Sequence, residues 1–402
     1  MKGKVFIAII LILFTSCEKG SKDNDTILKF YSEAYQDAGN SVAIGEDGYF
    51  ICGQLTDTMA NNAPQRFGII KAGFDGNMIG EPKIYKGYEG SANKIKVLND
   101  GSVVCTGYIL NNSTKKDVLV MHLTSGLDEI AEYVSTSPGN QYGVDIIETD
   151  EGFLILATTD SKREPSGEVT GNPAGRKDIL LIRINSDLVP LPEIPAQGFN
   201  GDDEGVAVKQ DRQGGYIIVG TTDRSDLPSE QSGTNIIILK LNADGSTTKP
   251  KIVGKTGDEN ASDFEVLSDG YLISGTKVNA NNVLQGYIWK IPFDIYSDPD
   301  FEHEITLNSV EQSTPCIIKA MCRYGSNSFL LAGQCGTGLS ARLLVFSVDA
   351  YGTPVVGREK IEGNTGTQIA NDVVSDDSGN IIAIGSNGYE DNSMICLLKF
   401  RF

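Results

Sequence analysis

Residues Tyr216–Gly220 read YIIVG and Ile236–Leu241 read IIILKL, and this pair of short apolar runs decides the fold because it recurs along the chain. The first run occurs seven times, and the spacing between successive copies is 54, 50, 63, 55, 58 and 52 residues. Self-similarity at a nearly fixed period of this size predicts a repeat architecture. Each copy closes on a small residue: Gly53, Gly107, Ala157, Gly220, Gly275, Gly333 and Gly385.

Each repeat unit contains four runs with the composition of β-strands. A run such as Ser41–Ile44 precedes the YIIVG-type run and is joined to it by a tight polar turn, here Glu46-Asp47-Gly48, which is a hairpin signal. The IIILKL-type run follows, and a weaker fourth run such as Pro82–Tyr85 comes after a second turn. Short β-branched and leucine-rich runs bounded by turn residues favour strands, so each unit is predicted to be a four-stranded antiparallel meander.

Four antiparallel strands cannot bury both of their faces alone, and units of this period stack radially into a β-propeller. Seven units therefore predict an all-β, seven-bladed β-propeller with four-stranded blades. The last unit is one strand short, because its third strand, Met394–Phe402, ends the sequence. Residues Ile27–Tyr35 are expected to supply the missing strand and so to close the last blade, which makes 26–402 a single domain.

Composition excludes several functional classes. The chain has 402 residues, 40% of them hydrophobic, and it contains 45 glycines, which is typical of a folded, turn-rich protein. Its formal net charge of −19 disfavours nucleic acid as a partner, since binding to phosphate backbones needs a basic surface. Two histidines and one tryptophan exclude His-rich metal centres and the repeat families that need a tryptophan in every unit.

The N-terminus has the pattern of an export signal. Lys2 and Lys4 precede the apolar run Val5–Phe14, and small residues follow. Ten apolar residues are too few to span a bilayer. Leu13–Cys17 (LFTSC) resembles the signal of bacterial lipoproteins, which implies that residues 1–17 are a lipoprotein signal ending in a lipidated Cys17. The alternative is an ordinary secretory signal in which Cys17 has no role.

Two further resemblances place the protein at the cell surface. Glu18–Asp25 (EKGSKDND) is polar and aperiodic, which predicts a flexible tether over 18–25, and it resembles the tethers of surface lipoproteins in the Bacteroides group. Gly214–Gly220 followed by Ile236–Gly245 resembles the bacterial propeller repeat DGGYILVG, whose members are extracellular or surface proteins. We therefore expect an outer-membrane lipoprotein that is exposed at the cell surface and touches the membrane only through its lipid anchor.

Two columns of equivalent residues in the repeat favour structural roles. The small closing residue lets a neighbouring backbone approach or permits a bulge. The third strands carry a mostly cationic column, so His122 is interpreted as a solvated or ion-paired strand position rather than a catalytic base. No catalytic residue is predicted, and His303 has no Cys or His near it in sequence. The column consists of Lys71, His122, Arg183, Lys240, Lys290, Ser347 and Lys399.

The remaining cysteines are predicted to be mainly core residues, since no CxxC pair is present and free cysteine behaves as a small buried hydrophobe. One pair differs. The hairpin turn between Gly325 and Ser326 places Cys316 opposite Cys335. In an exported protein this pair is either a disulfide or two facing thiols.

Candidate binding residues lie in the loops of one face. In propellers the second-to-third loops and the inter-blade loops surround the same mouth of the channel, and here Asp160–Lys177 and Asp223–Gly233 are long. Such loops either carry binding residues or are tolerated insertions. The candidate ligand-binding residues are Tyr88, Glu89, Gln141, Tyr142, Arg163, Arg176, Asp202, Asp203, Glu204, Asp258 and Glu259.

The inter-blade acids in this set permit two interpretations, a Ca²⁺ site or a solvated rim. The rim is favoured because no DxDxDG loop is present, so no metal site and no cofactor are predicted. Asp57, Asp160 and Asp223 begin second-to-third loops and are interpreted as turn caps.

Three functional hypotheses follow from the sequence. The first is a non-catalytic module that binds glycan or a cell-envelope protein through the long-loop face. The second is a glycan-active enzyme that uses a carboxylate pair at the channel mouth, since glycoside hydrolysis needs two suitably spaced carboxyl groups. The third is a structural subunit of an outer-membrane assembly.

Overall fold

The structure is a computed structural model that describes residues 26–31, 36–111, 115–137, 139–160, 177–199, 201–223, 233–254, 257–364, 366–389 and 392–402. The predicted signal and tether, with Cys17, lie outside the described residues, as do Arg163 and Arg176.

None of the helices within those ranges is long and apolar enough to cross a membrane.

Seven antiparallel sheets form the blades of a β-propeller, as the repeat predicted. In blades 1 to 6 the first strand in sequence is innermost and the chain proceeds outward. Blade 7 follows the same order in its three C-terminal strands and takes its outer strand from the other end of the chain. Blade 1 contains β2 (Ala38–Ile44), β3 (Tyr49–Thr56), β4 (Gln65–Ala72) and β5 (Lys83–Ile84), and blade 2 contains β6 (Gly90–Val97), β7 (Val103–Asn111), β8 (Lys115–Leu123) and β9 (Glu129–Val134). Blade 3 contains β10 (Gln141–Thr149), β11 (Gly152–Thr159) and β12 (Asp178–Asn185). Blade 4 contains β13 (Asp203–Gln210), β14 (Tyr216–Thr222), β15 (Asn235–Leu241) and β16 (Lys251–Val253).

The outer edge of blade 3 is irregular, because isolated bridges Ile179↔Gln197 and Ile184↔Pro190 stand where other blades have a fourth strand. A short 3-10 turn, Gly338–Ser340, interrupts blade 6. Blade 5 contains β17 (Glu259–Val266), β18 (Tyr271–Val278), β19 (Leu284–Ile291) and β20 (Phe301–Glu304). Blade 6 contains β21 (Cys316–Tyr324), β22 (Ser328–Cys335), β23 (Arg342–Asp349) and β24 (Pro354–Glu362). Blade 7 contains β25 (Thr367–Ser375), β26 (Ile381–Tyr389), β27 (Asn392–Phe400) and β1 (Ile27–Tyr31).

The ring is closed by the first strand of the chain. β1 pairs antiparallel with β27, from Ile27 opposite Lys399 to Tyr31 opposite Ile395, and so becomes the outer strand of blade 7. The predicted strand extended to Tyr35, but the residues after Tyr31 up to 35 lie outside the described part. The Tyr31 hydroxyl donates to the carbonyl of Gly76 in blade 1, which fastens the closing strand to the neighbouring blade.

The hydrophobic core consists of seven clusters, each filling the interface between two neighbouring blades. Phe50 and Phe67 of blade 1, for example, pack against Ile95 and Met121 of blade 2. Each blade therefore buries both faces against its neighbours, which is why the strands read as continuous apolar runs rather than alternating ones.

Every innermost strand carries a one-residue bulge opposite the recurring small residue. In blade 7 the register shifts between Ala370 and Asp372, directly after the pair Ala370↔Gly385. A Cβ on Gly385 would overlap the carbonyl oxygen of Ile369. The predicted structural role of this column is confirmed. The pairs next to the bulges are Gly39↔Gly53, Ala92↔Gly107, Gly143↔Ala157, Gly205↔Gly220, Ala261↔Gly275, Ile318↔Gly333 and Ala370↔Gly385.

The residue after the bulge links neighbouring blades when it is an aspartate. Asp372 accepts hydrogen bonds from the Ser41 hydroxyl at 2.6 Å and the Val42 N–H at 3.1 Å, both in blade 1. Its other oxygen accepts the N–H of Val373 in its own strand. Two other aspartates accept a backbone N–H of the next blade in the same way. Asp145 accepts the Val208 N–H at 3.0 Å, and Asp263 accepts the Met321 N–H at 3.1 Å.

The bulged residue itself makes the complementary bond. Asn371 donates its amide to the Gly39 carbonyl at 2.8 Å, again joining blade 7 to blade 1. Bulge geometry therefore turns a polar side chain sideways toward the next blade at the channel wall. Equivalent bonds run from Asn40 to Ala92 at 2.8 Å, from Asn93 to Gly143 at 2.8 Å and from Ser262 to Ile318 at 2.5 Å.

Lysines of the third-strand column pair with aspartates of the first-to-second hairpins, whereas Arg183 and Lys399 donate to the carbonyls of Pro192 and Phe74. Lys71 lies 2.8 Å from the Asp47 carboxylate and Lys240 lies 2.9 Å from Asp211. His122 takes the same place, with Nε2 2.9 Å from the Ser102 hydroxyl, which in turn hydrogen-bonds Asp100. His122 is thus a partly exposed strand position, as predicted, and it is hydrogen-bonded to a serine rather than ion-paired.

Cys316 and Cys335 lie opposite each other in the β21–β22 ladder, as the hairpin predicted. Both are free thiols in the structure, so the disulfide that the sequence analysis left open is not formed. The Cys335 sulfur is hydrogen-bonded by Arg342 instead. Burial raises the pKa of the Cys316 thiol to about 12, which suppresses the thiolate that disulfide formation requires.

The bulge glycines generate a stability prediction. Gly385→Ala is expected to lower the free energy of unfolding by about 2 to 3 kcal/mol, because the added Cβ forces the bulge apart. Gly388→Ala in the same strand is the matched control: its Cβ would meet nothing closer than 3.6 Å, and we expect a change within about 0.5 kcal/mol. Chemical denaturation of both variants measures the difference, and equal effects would contradict the role assigned to the column.

Candidate functional site

The long-loop face is formed by the ends of strands that the sequence analysis assigned to it. Second-to-third loops follow strands such as β7 and β11, and inter-blade loops precede β6, β10, β13 and β17. The candidate residues outside the two arginines all fall at these strand ends, and the structure shows which of them are committed to holding the ring together.

Three residues of the inter-blade segments join neighbouring blades on this face. The side chain of Asn140 accepts the Lys116 N–H at 3.0 Å, and Asp202 accepts the Lys177 N–H at 3.2 Å. Asp258 accepts the Thr234 N–H at 3.0 Å. Each bond joins a residue before an innermost strand to the start of the third strand in the preceding blade. The acids predicted as a solvated rim are therefore in part backbone acceptors, because unpaired N–H groups at a blade seam need a partner.

The aspartates that begin second-to-third loops also accept backbone hydrogen bonds. Asp57 accepts the Met59 N–H at 3.2 Å within its own turn. Asp160 accepts the Asn140 N–H and Asp223 accepts the Asp202 N–H, both at 2.5 Å, so these two caps reach across to the inter-blade loop. The turn-capping interpretation is confirmed for Asp57. Asp160 and Asp223 instead accept hydrogen bonds from the inter-blade segment that precedes the innermost strand of their own blade.

Three of the candidate binding residues are buried. Gln141 is 1% exposed, and Asp203 and Glu259 are fully buried. Asp203 accepts the Phe199 N–H at 2.6 Å, and Glu259 forms an ion pair with Lys277 at 2.5 Å. Each is the first residue of an innermost strand and turns into the seam between blades, whereas the next residue, Tyr142 or Glu204 for the first two, stays partly exposed.

The partly exposed residues converge on what we name the tyrosine–lysine patch: Tyr108, Lys116, Tyr142, Lys177 and Glu204. The Lys116 ammonium lies 4.3 Å from the ring centroid of Tyr108 and 5.3 Å from that of Tyr142, a cation–π arrangement that spans blades 2 and 3. Lys177 forms an ion pair with Glu204. Burial, followed by the nearby Glu204 carboxylate, raises the pKa of Tyr142.

Tyr88 and Glu89 lie on the loop before β6, where Glu89 is close to this patch. Tyr88 is 41% exposed and stacks on Tyr85, with ring centroids 6.4 Å apart. Glu89 adds to the effect of burial in raising the pKa of Tyr108, which shows that its carboxylate is close to the patch.

Sequence reasoning missed Tyr108, Lys116 and Lys177. A signal for Tyr108 was present, because it follows the recurring glycine and is the one aromatic residue in a column that otherwise holds Gln, Thr or Ser. No comparable signal marks the lysines, since cations at strand starts are common on solvated faces.

The part of the chain that the structure describes contains no group of three or more His, Cys, Asp or Glu side chains placed to hold a metal ion. The inter-blade carboxylates are engaged by the protein itself. Backbone N–H groups donate to Asp202, Asp203 and Asp258, and lysines pair with Glu204 and Glu259.

Two carboxyl groups meet in the seam between blades 3 and 4. A Cβ on Gly198 would overlap oxygens of both Asp178 and Asp203, so the two side chains approach each other around this glycine. Burial and the Asp203 charge raise the pKa of Asp178 to about 7, and burial raises that of Asp203 to about 6. The enzyme hypothesis placed its carboxylate pair at the channel mouth, whereas this pair lies in the seam and Asp203 is fully buried.

No protein-family model matches the chain, and no curated protein sequence matches it. Its fold is similar to that of a puromycin hydrolase (TM-score 0.54, 10% identity, 89% of this chain and 50% of the hydrolase). It is also similar to Raptor from Chaetomium thermophilum, with a TM-score of 0.52 and 10% identity over 93% of this chain and 29% of Raptor. A protein of unknown function from Dyadobacter fermentans is similar with a TM-score of 0.50 and 12% identity, over 94% of this chain and 99% of that protein.

The chain thus spans half of the first of these proteins and under a third of the second. At 10% to 12% identity the similarity shows the propeller fold alone.

The carboxyl pair predicts a pH dependence of stability. Because the pKa of Asp178 rises from 3.8 in the unfolded chain to about 7 in the fold, the folded protein binds more protons over that interval, and stability falls as pH rises through it. Asp178→Asn should reduce this loss and raise the free energy of unfolding at pH 8 by about 1 to 2 kcal/mol, with little change at pH 4.

Denaturation of wild type and variant at both pH values tests this prediction. Asp298→Asn is the matched control, because Asp298 is exposed. A wild-type stability that is independent of pH between 4 and 8, or an equal effect of both variants, would contradict the assignment.

Proposed function

We propose that this protein is a lipid-anchored, surface-exposed propeller that binds glycan without catalysis, through the tyrosine–lysine patch on its long-loop face. The observation that carries the proposal is Lys116, which lies between two tyrosine rings and has no ion pair with any described residue. A cation held in place by aromatic rings presents its N–H donors in a fixed position to oxygen atoms of a ligand.

The chemistry of the patch supports glycan rather than a protein partner. Tyrosine combines a flat apolar ring with a polar hydroxyl, and lysine and glutamate supply hydrogen bonds in several directions, which suits a ring with one apolar face and many hydroxyls. The cores of protein–protein interfaces are instead depleted in lysine and glutamate. Charged groups make up three of the five residues of the patch, so a sugar is the better match.

The proposal predicts the effect of three substitutions on glycan affinity. Lys116→Met, Tyr142→Ala and Tyr88→Ala should each raise the Kd of the glycan selected on an array by about tenfold, the loss of one well-packed contact. Tyr351→Ala is the control, since Tyr351 is 71% exposed in the third-to-fourth turn of blade 6, on the opposite face. Isothermal titration calorimetry measures the four affinities.

Two results would overturn the glycan proposal. One is a wild-type protein that binds no glycan on a broad array, which would direct attention to a protein partner. The other is an affinity that falls equally in the control variant. Near-UV circular dichroism of each variant separates lost binding from lost folding.

The anchoring part of the proposal rests on the lipoprotein-like segment Leu13–Cys17. Cys17→Ser is expected to abolish incorporation of labelled fatty acid and to move the protein from the membrane fraction to the soluble fraction. Accessibility of the wild-type protein to protease on intact cells tests surface exposure. Unchanged sedimentation of the variant would contradict lipid attachment at this residue.

A second candidate function, glycan hydrolysis, is favoured by the carboxyl pair Asp178 and Asp203. Asp178 is partly exposed, and its pKa of about 7 leaves this carboxyl partly protonated near neutral pH, as a general acid requires, whereas Asp203 is fully buried. Product analysis of any glycan that binds decides between the candidates. Turnover that is lost in Asp178→Asn while binding is retained would establish the enzyme, and binding without product would exclude it.

A further inference from the structure

The central channel contains a cavity of about 380 Å³ in the half that lies toward the first-to-second hairpins. All seven innermost strands contribute to its wall, mostly through residues that follow the bulge. It is separate from the tyrosine–lysine patch, which lies at the opposite ends of the same strands. Its wall carries an unusual density of charge, with Lys94, Lys96 and Lys209 facing four carboxylates.

The carboxylates of the wall are already partnered. Asp145, Asp263 and Asp372 each accept two backbone hydrogen bonds, one of them from the next blade. Glu265 lies 2.7 Å from the Lys209 ammonium. These four carboxylates therefore hold neighbouring blades together. They still have lone pairs that can accept further hydrogen bonds from a donor inside the cavity.

Two of the lysines are partnered as well. Lys94 lies 3.2 Å from Asp372, and Lys209 is shared between Glu265 and, at 3.4 Å, Asp263. These ion pairs raise the pKa of both lysines, against the opposing effect of burial.

Lys96 is different, because it forms no ion pair and no hydrogen bond with any described residue. Burial lowers its pKa below the usual 10.5, and the charges of Lys94 and Lys209 lower it further. Asp145 and, more weakly, Asp372 act in the opposite direction, and both lie beyond ion-pair distance. The Lys96 side chain is partly exposed and lines the cavity, so an anion bound there would give it an ion-pair partner.

We propose that the channel cavity binds a small hydroxylated carboxylate, of the size and chemistry of a uronic acid, with its carboxylate on Lys96. The cavity volume lies within the range of sites for small molecules. Hydroxyl groups suit the remaining wall, since they donate to Asp145 and Glu265 while the ligand carboxylate is held among three cations. An anion without hydroxyl groups would pair with the lysines but would donate no hydrogen bond to those acceptors.

The test compares D-galacturonate with D-galactose, which has the same ring without the carboxylate. Galacturonate is expected to bind the wild-type protein in calorimetry and to raise its melting temperature, and galactose to do neither. Lys96→Met should raise the Kd for galacturonate at least about tenfold, as expected for losing a charge-assisted bond. Lys96→Arg should restore part of the affinity.

Lys319→Met is the matched control, because Lys319 is the bulged residue of the innermost strand of blade 6 and does not line the cavity. It should bind galacturonate as the wild type does. Tyr142→Ala should also leave this affinity unchanged, which separates failure of the channel site from failure of the glycan site on the long-loop face.

Three outcomes would overturn the inference: no galacturonate binding to the wild type, equal binding of galactose, or full binding by Lys96→Met. If Lys96→Met fails to fold, ¹³C-methylation of the lysines in the wild-type protein gives the same answer. Galacturonate must then shift the signal that is absent from the Lys96→Arg spectrum, and a signal that does not move rejects the site.

Discussion

The ring depends on one backbone irregularity that every blade repeats. An extra residue in each innermost strand turns a side chain toward the neighbouring blade, and the small residue opposite gives the bulge room. Where the bulge is followed by aspartate, the carboxylate accepts the N–H of the next blade, as Asp372 does from Val42. Apolar packing between blades supplies most of the stabilisation but has no preferred register, so these polar bonds fix how far each blade slides along the next.

The same irregularity marks the limit of what the sequence predicts. The blade count, the strand order and the closing strand follow from the period and from turn chemistry. The structural role of His122 follows from its column, which is mostly cationic. The burial of Gln141, Asp203 and Glu259 could not be predicted from the sequence. Strand alternation assigns faces only while the register is unbroken, and a bulge shifts the phase by one residue without leaving a motif.

The candidate site was predictable to a smaller extent. Tyr142 and Glu204 were found because they lie in polar inter-blade segments. Lys116 lies in a third strand and Lys177 lies directly before one. Lys116 approaches Tyr142 and Lys177 approaches Glu204 only because one blade is rotated against the next. That rotation is a property of the assembled ring. Although the chain has a net charge of −19, Lys116 on the long-loop face and Lys96 in the channel have no ion-pair partner among the described residues, because nearby carboxylates such as Glu204 and Asp145 are engaged elsewhere.

Pairing of the first described strand with the last also has a kinetic consequence. The Ile27↔Lys399 contact joins residues 372 positions apart, so the seam between β1 and β27 is nearly as non-local as this chain allows. Closing a loop of that length costs roughly 5 kcal/mol of chain entropy before the contact stabilises anything. Blades 1 to 6 can form from local hairpins as the polypeptide emerges, but the ring cannot close until its C-terminal residues are available. Folding should therefore end with a slow, concerted docking of both ends, during which the edge of blade 7 is open to pairing with another molecule.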